Sequence, residues 1–291
     1  MERISPTGDL AFKKVLASEE NKDILSGLIK DFFEVEVDEL TIESPYNIAA
    51  YKEVVKDEEV KVLRQTISDV AATFKTADFV SEMQVKKSWF FEERSLLYPL
   101  ERFCRNYNRA GHMITDAMGR PIRYSSLRPV YSLNILGSSH FDDEDALRIL
   151  ELYDPVRHKH FKRLLRIGFF ELAKPNIETT NQQYWRDYFN TGEVAPEAPD
   201  YIKKASSIIE LANLTEEERT VARTIERAQA MYDADMYGSY IEGEEKGVVK
   251  GKAEEKIEVA KGMLADGLSP EKIAKYTGLT IGQIKSLTVK Q

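Results

Sequence analysis

The sequence lacks the residues on which several classes of protein depend. Only one of its 291 residues is a cysteine, Cys104, so neither a disulfide framework nor a cysteine-based zinc site can form within the chain. No apolar run approaches the roughly 20 residues of a membrane-spanning helix, and the first residues lack the apolar core of a signal peptide. These absences predict a cytoplasmic protein with no membrane partner.

Basic residues are also in the minority. There are 41 lysines and arginines against 49 aspartates and glutamates, which gives a net charge of −8. A chain with that charge does not attract nucleic acid as a whole, so any contact with phosphates must come from a local basic patch. The 42% hydrophobic content is compatible with a globular core.

Hydrophobic periodicity divides the chain into three parts. Helix and strand patterns alternate over residues 1–177, which predicts an α/β body. Only helical patterns follow over 178–237, which predicts a helical extension, and 238–291 reads as a tail with a glycine repeat and two short helices. The strands expected in the body cover residues 40–44, 63–74, 79–86, 129–136 and 163–172, and the long helix between the third and fourth covers 90–111.

The tail repeats glycine at every fourth residue, at Gly243, Gly247 and Gly251. Two interpretations weigh evenly: a flexible linker, or a helix that associates with a second copy, because small residues at this spacing let two backbones approach closely. On the second interpretation we expect a homodimer through the tail.

The end of the tail resembles the first two helices of a helix-turn-helix. Ser269-Pro270 is typical of a helix start, and Thr280 with Gln283 matches a capping box. The small core expected for these helices consists of Ile273, Ala274, Leu279, Ile281 and Ile284.

The stretch SDVAATFKTADFVSEMQVKK, residues 68–87, places polar side chains on a predicted hairpin where apolar ones would pack better. We place its turn at Thr76-Ala77. That register pairs Phe74 with Phe79, Ala71 with Glu82, and Asp69 with Gln84. Opposed residues, and residues two apart on one strand, project to the same face of a sheet. Asp69, Glu82 and Gln84 are therefore expected to converge, with the two carboxylates spaced for a cation such as Mg²⁺. The alternative is that these polar residues lie on a solvent-exposed face of the sheet and have no function.

Several segments occur in one order along the chain: ISPTGDLAFKKVLASEENKDIL, SDVAATFKTADFVSEMQVKK, RSLLYPL, RPVYSLNIL, FFELAK and the glycine-repeat tail. Together they resemble the Rpn-type recombination-promoting nucleases, also called PD-(D/E)XK nuclease family transposases. The resemblance implies a restriction-endonuclease-like α/β core and hydrolysis of DNA with Mg²⁺ or Mn²⁺, in a recombination, mobile-element or phage-defence context. The rival interpretation is a catalytically silent DNA- or protein-binding module that keeps the fold.

The resemblance also implies roles for individual residues. Asp69 and Glu82 match the metal-binding acids of two neighbouring strands, and Asp9, in an Asp-x-x-Phe-Lys motif, matches a third acid near the N-terminus. Gln84 stands where many such nucleases have lysine, and because a neutral amide cannot act as a base, we expect it to orient the attacking water. Without metal, removal of either strand acid should leave the fold unchanged or slightly more stable, because repulsion between carboxylates is relieved.

Candidate cations for DNA contacts are Lys13, Lys86, Arg94 and Arg102. The arginines of the 90–111 helix recur close to helical spacing beside the expected site. Tracking of phosphates and salt bridges with Glu92, Glu93 and Glu101 are equally compatible with that pattern. The pair His158 and His160 lacks a third ligand and is expected to be a surface feature rather than a metal site.

Overall fold

The computed structural model describes residues 2–43, 46–49, 51, 70–85, 90–109, 117–118 and 127–288. Their contacts divide the chain into two compact units, Met1–Ile225 and Glu226–Gln291. The finer division into 1–177, 178–237 and 238–291 stays a prediction. No helix of the described residues is long and apolar enough to cross a membrane.

The first unit is built on one sheet, to which the described residues contribute six strands. The strands are β1 (Thr41–Ile42), β2 (Val70–Phe74), β3 (Ala77–Gln84), β4 (Val130–Leu136), β5 (Leu147–Glu151) and β8 (Leu165–Glu171), in the spatial order β1-β2-β3-β4-β8-β5. The first three pair antiparallel, β4 and β8 then follow parallel to β3, and β5 pairs antiparallel with β8 at the edge. The mixed sheet confirms the predicted α/β class. The short strands β6 (Tyr153–Asp154) and β7 (Lys159–His160) form a separate hairpin.

One face of the sheet is buried under α1 (Asp9–Leu16) and α2 (Lys22–Phe33). Alternate residues of β2 point into this core, because successive side chains of a strand face opposite sides. The helix α2 contributes its apolar stripe, spaced three and four residues apart. The buried members of that stripe are Ile24, Leu25, Leu28, Ile29, Phe32 and Phe33.

Two further helices, α4 (Thr180–Thr191) and α5 (Asp200–Ile208), add to the same core. Trp185 stacks on Phe189 at a centroid distance of 5.7 Å, and its indole N–H donates to Asp31 Oδ2 at 2.8 Å. Both aromatic side chains are fully buried. The residues from 178 to 225 therefore pack as part of the sheet-containing unit.

The opposite face of the sheet is covered by α3 (Phe91–Arg109), which packs on β3, β4 and β8. Phe91, at its first turn, lies among Leu136, Ile167 and Phe169 in a smaller apolar cluster. Pro99 lies inside this helix. This second face, between the sheet and α3, holds the candidate site.

The long helix α6 (Glu216–Ala265) begins with a capping box and runs through the glycine repeat. Glu218 Oε2 accepts the N–H of Thr215 at 2.9 Å, and Thr215 Oγ1 accepts the N–H of Glu218 at 3.2 Å. Helix, rather than linker, is thus confirmed for Gly243, Gly247 and Gly251.

The second unit ends in α7 (Pro270–Thr277) and α8 (Ile281–Thr288). Ser269 is the N-cap of α7, and Gln283 Oε1 accepts the N–H of Thr280 at 2.9 Å, so both predicted helix starts are confirmed. Ile273 and Ile284 are buried with Ala260, but Ile281 is 41% exposed and was wrongly placed in the core.

Candidate active site

The strand β3, which lies inside the sheet, carries two of the candidate site residues, Glu82 and Gln84. Glu82 and Gln84 are two residues apart and therefore share a face, and the parallel neighbour β4 places Asn134 beside Glu82 and Leu136 beside Gln84. Leu136 belongs to the cluster under α3. Glu82 and Gln84 thus project toward α3, on the face away from the main core.

The hairpin register differs from the predicted one by two residues. Phe74 pairs with Ala77 and Ala71 pairs with Val80, because a two-residue turn, Lys75-Thr76, joins the strands. A shift of two preserves which face each side chain occupies. Glu82 therefore lies on the face that the sequence predicted, although its predicted pairing with Ala71 was wrong.

Asp78 explains why the hairpin closes earlier than predicted. This residue was expected in the turn, yet it is fully buried in β3. Its carboxylate lies 3.5 Å from Arg102 Nε and 3.7 Å from Arg128 Nη2. Burial of a carboxylate requires opposite charge nearby, and the two arginines supply it to Asp78 at its position in the strand.

Asp69 lies outside the described residues, directly before Val70, and so does Lys86. The metal-ligand role of Asp69 stays a prediction, whereas its pairing with Gln84 belonged to a register that β2 and β3 do not adopt. Within the described part of the chain, no three histidine, cysteine, aspartate or glutamate side chains are grouped closely enough to hold a metal ion. The ligand set that the sequence predicts depends on Asp69.

Glu82 is nearly enclosed, with 6% of its side chain exposed, and it forms an ion pair with Arg94 of α3, which is 36% exposed. This ion pair reverses the expected effect of removing Glu82 on stability. Removal of Glu82 without metal would leave the Arg94 guanidinium without this counter-ion, so the fold should lose stability rather than keep or gain it.

A cavity of about 170 Å³ lies between the sheet and α3 next to Glu82. The residues that line it include Glu82, Tyr98, Arg102, Arg105, Ser132 and Asn134. Asn134 donates from Nδ2 to Gly168 O at 3.1 Å. Sequence reasoning missed Ser132 and Asn134, although two polar residues at alternate positions of an apolar strand were a signal that they share the face of Glu82.

Asp9 begins α1, and the apolar residues of that helix belong to the main core. Both carboxylate oxygens of Asp9 are buried. The Tyr51 hydroxyl donates to the backbone oxygen of Asp9 at 3.3 Å. Burial raises the pKa of Tyr51, and the neighbouring Asp9 carboxylate raises it further. Its role as a third acid stays a prediction.

The candidate DNA-binding cations mostly have partners inside the protein. Arg102 is only 4% exposed, and its guanidinium donates to both oxygens of Glu43 and, at 2.9 Å, to Thr73 Oγ1. Arg105 pairs with Glu101 at 2.6 Å. Of the partners expected from the sequence, Glu101 pairs with Arg105, whereas Arg94 pairs with Glu82 and Arg102 with Glu43. Burial excludes Arg102 from a phosphate in this conformation, and Lys13 is also largely buried.

The fold and the site together are typical of the restriction-endonuclease-like class. The strands β1, β2 and β3 form an antiparallel meander, α3 leads to the parallel strand β4, and β3 carries an acid and an amide two residues apart. A family model described as PD-(D/E)XK nuclease family transposase matches residues 6–240. The chain therefore belongs to the PD-(D/E)XK nuclease family transposases, and that membership indicates a nuclease. No curated protein and no solved structure matches the chain.

Proposed function

We propose that the chain is a metal-dependent DNA endonuclease that hydrolyses phosphodiester bonds. The observation that carries the proposal is the nearly enclosed Glu82, two residues before Gln84 on the strand parallel to β4, in a chain whose family is a nuclease family. A recombination, mobile-element or phage-defence role follows from the family resemblance.

The donor atoms at the site fit a hard cation. Glu82 and Gln84 offer side-chain oxygens, and among the residues that the structure describes neither histidine nor cysteine lines the cavity beside them. Oxygen ligands are those that Mg²⁺ and Mn²⁺ prefer. Asp69 and Glu82 would hold the ion, with Asp9 as a third acid. When bound, it would polarise a phosphoryl oxygen and lower the pKa of the attacking water.

The chain's own side chains would divide the remaining tasks. Arg94 supplies positive charge beside Glu82, so in the DNA complex it is placed to contact the phosphate on which negative charge develops. Gln84 would orient the water through its amide, which can donate and accept hydrogen bonds but cannot take up a proton at neutral pH.

Nicking of a supercoiled plasmid tests the proposal. The full chain should nick DNA with Mg²⁺ or Mn²⁺ and not in EDTA, and Glu82→Gln should abolish nicking. Glu36→Gln is the matched control, because Glu36 is an exposed acid that pairs with Lys30, and this variant should nick like the unmodified chain. Equal nicking by Glu82→Gln and the control would refute the assignment of Glu82.

A catalytically inactive DNA-binding module is the second candidate, and Gln84 in place of lysine is the observation that favours it. Gln84→Lys separates the two. If the chain nicks DNA and this variant nicks faster, the site is an active nuclease that works without the usual lysine. If DNA is bound while neither protein nicks it, the binding module is the better description.

We also propose a homodimer through the tail. An added Cβ at Gly243, Gly247 or Gly251, together the glycine stripe, would meet nothing within 4 Å in the single chain. Tyr240 and Val248, on the same stretch of α6, expose 66% and 50% of their surface. A second copy would bury these side chains and use the stripe for close approach of the two helices.

A further inference from the structure

The hairpin formed by β6 and β7, residues 152–163, is an ordered projection beyond the edge strand β5. Asp154 Oδ1 accepts the backbone N–H groups of Val156 at 3.0 Å and Arg157 at 3.2 Å. The N–H of Phe161 donates to Leu152 O at 2.9 Å. The turn and the base of this hairpin, which we call the basic hairpin, are therefore fixed by its own hydrogen bonds.

The basic hairpin carries charge opposite to that of the whole chain. Its sequence, LYDPVRHKHFKR, contains four lysines and arginines and one acid, whereas the net charge of the chain is −8. Arg157 pairs with Asp154 at 3.0 Å and Arg163 with Glu151 at 3.3 Å. Lys159 and Lys162 are exposed and have no ion-pair partner among the residues that the structure describes. Neither lysine is therefore in an ion pair within the described part of the chain, although Asp154, which pairs with Arg157, lies across the hairpin from Lys159.

Apolar side chains stand beside these lysines in solvent. Phe161 is 69% exposed and Val156 is 79% exposed, and Tyr153 is also largely accessible. Phe161 lies between Lys159 and Lys162 in the sequence. An exposed aromatic ring with cations nearby is a combination that binds unpaired nucleotides, because the ring stacks on a base while the cations hold the backbone. The residues of the hairpin thus suit a polyanion with accessible flat bases.

The position of the basic hairpin relative to Glu82 follows from the sheet register. Glu151, just before the hairpin, aligns with Arg166, Tyr131 and Phe79 across the sheet. Glu82 lies three residues farther along β3. With strands about 4.8 Å apart and a rise of about 3.3 Å per residue, Glu82 and Glu151 are roughly 17 Å apart. The hairpin itself lies farther from Glu82 than that, because β5 runs antiparallel to β8 and the chain leaves Glu151 in the direction away from Glu82. The hairpin and Glu82 therefore cannot touch one phosphate.

We propose that the basic hairpin is a second DNA-contact site, which binds an unpaired segment of the strand through Lys159 and Lys162 and stacks a base on Phe161. The choice of DNA rests on the proposed function, but the site binds and takes no part in hydrolysis. An anionic membrane surface is the competing partner. The family, which indicates a nuclease, favours DNA over the membrane, although Leu152, which the register sets opposite Phe161, is also 51% exposed.

The test measures binding of the full chain in EDTA to a short fluorescent single-stranded oligonucleotide. The double variant Lys159→Glu/Lys162→Glu should lose at least tenfold in affinity, and its log–log salt slope should fall by about 1.4, since each single-strand phosphate contact contributes about 0.7. Phe161→Ala should weaken binding about 5- to 100-fold, the loss of one stacked base, with the salt slope unchanged and duplex affinity almost unaffected.

The matched control is Lys30→Glu/Lys203→Glu, which changes the net charge equally at two exposed lysines that pair with Glu36 and Asp200. It should keep nearly full affinity. Equal losses in the control and the hairpin variant would reduce the effect to net charge and overturn the proposal. Loss of binding to phosphatidylserine vesicles with oligonucleotide binding intact would overturn it in favour of a membrane.

Failure of this inference is distinguishable from failure of the proposed function. If the chain cleaves no DNA but the hairpin variants lose oligonucleotide binding, the docking site stands and the nuclease assignment fails. If the chain cleaves DNA with Mg²⁺ and the hairpin variants bind as tightly as the unmodified chain, the nuclease assignment stands and the docking site is refuted. Thermal melts verify that the variants remain folded.

Discussion

The ion pair between Glu82 and Arg94 should be measurable as a coupling energy in the metal-free protein. Removal of one partner of a fully buried pair costs about 3–5 kcal/mol, whereas exposed pairs contribute about 0.2–1 kcal/mol. Glu82 is 6% exposed and Arg94 is 36% exposed, so solvent screens one end of the pair. We therefore expect Glu82→Gln or Arg94→Met to lower the free energy of unfolding by about 1–3 kcal/mol.

The assay is thermal and urea unfolding in EDTA of the two single variants and the double variant. For a unit of this size, each kcal/mol corresponds to about 2–4 °C in Tm, so the single variants should melt roughly 2–12 °C lower. The double variant should lose less than the sum of the two, by at least about 1 kcal/mol, because its second substitution has no pair left to break. Additivity within about 0.5 kcal/mol would show that the two groups do not interact and would refute the reasoning.

Three further outcomes follow from other parts of the chain. Burial alone would raise the pKa of Glu218, but hydrogen bonds from Lys14, the Thr215 N–H and Tyr46 outweigh it and hold the pKa below its ordinary value of 4.5. The protein should therefore lose stability as the pH falls below about 4.5. Glu218→Gln should make the free energy of unfolding less dependent on pH in that range. Asp78→Ala should destabilise the first unit by about 1–3 kcal/mol in urea unfolding, because Arg102 and Arg128 lose this counter-ion while Arg102 keeps Glu43. An unchanged free energy of unfolding would contradict the ion-pair explanation of the register. Alanine at all three positions of the glycine stripe should stabilise an isolated helix by about 1 kcal/mol per site. The same substitutions should weaken a dimer whose helices need close approach, so light scattering should show a lower mass. An unchanged mass with a higher Tm would show that the stripe is not part of a dimer interface.

Sequence reasoning located the regular elements well where one residue pattern decides the structure. The strand β4, VYSLNIL, is apolar almost throughout and bounded by Pro129, and it was predicted over nearly its observed length. The helix starts at Ser269 and Thr280 were found because capping is a local interaction between residues three apart.

The elements that sequence reasoning missed depend on partners distant in the chain. The hairpin register was predicted wrongly because aspartate favours turns. In the structure Asp78 lies in the strand, where Arg102 and Arg128 are its counter-ions. The edge strand β5, LRILE, shows no clear alternation, because Arg148 and Glu151 are charged residues that pair with Asp143 and Arg166. Such pairings leave no periodic signal.

Local sequence patterns predicted part of the candidate site but not its ion pairs. Alternation along one strand was enough to place Glu82 and Gln84 on one face. The partner of Arg94 was sought among its helical neighbours Glu92 and Glu93, whereas the structure pairs it with Glu82 across from the sheet. Contacts between a helix and a sheet follow from tertiary packing, which local spacing does not encode.

The nuclease proposal is tested most directly by single-turnover nicking of supercoiled plasmid with Mg²⁺, comparing the unmodified chain with Asp69→Ala purified in the same way. If Asp69 and Glu82 together hold the ion, the unmodified chain should convert the plasmid to nicked circles and Asp69→Ala should leave it supercoiled, while circular dichroism shows that the variant is folded. Nicking by a clean Asp69→Ala preparation at the rate of the unmodified chain would contradict the proposed site.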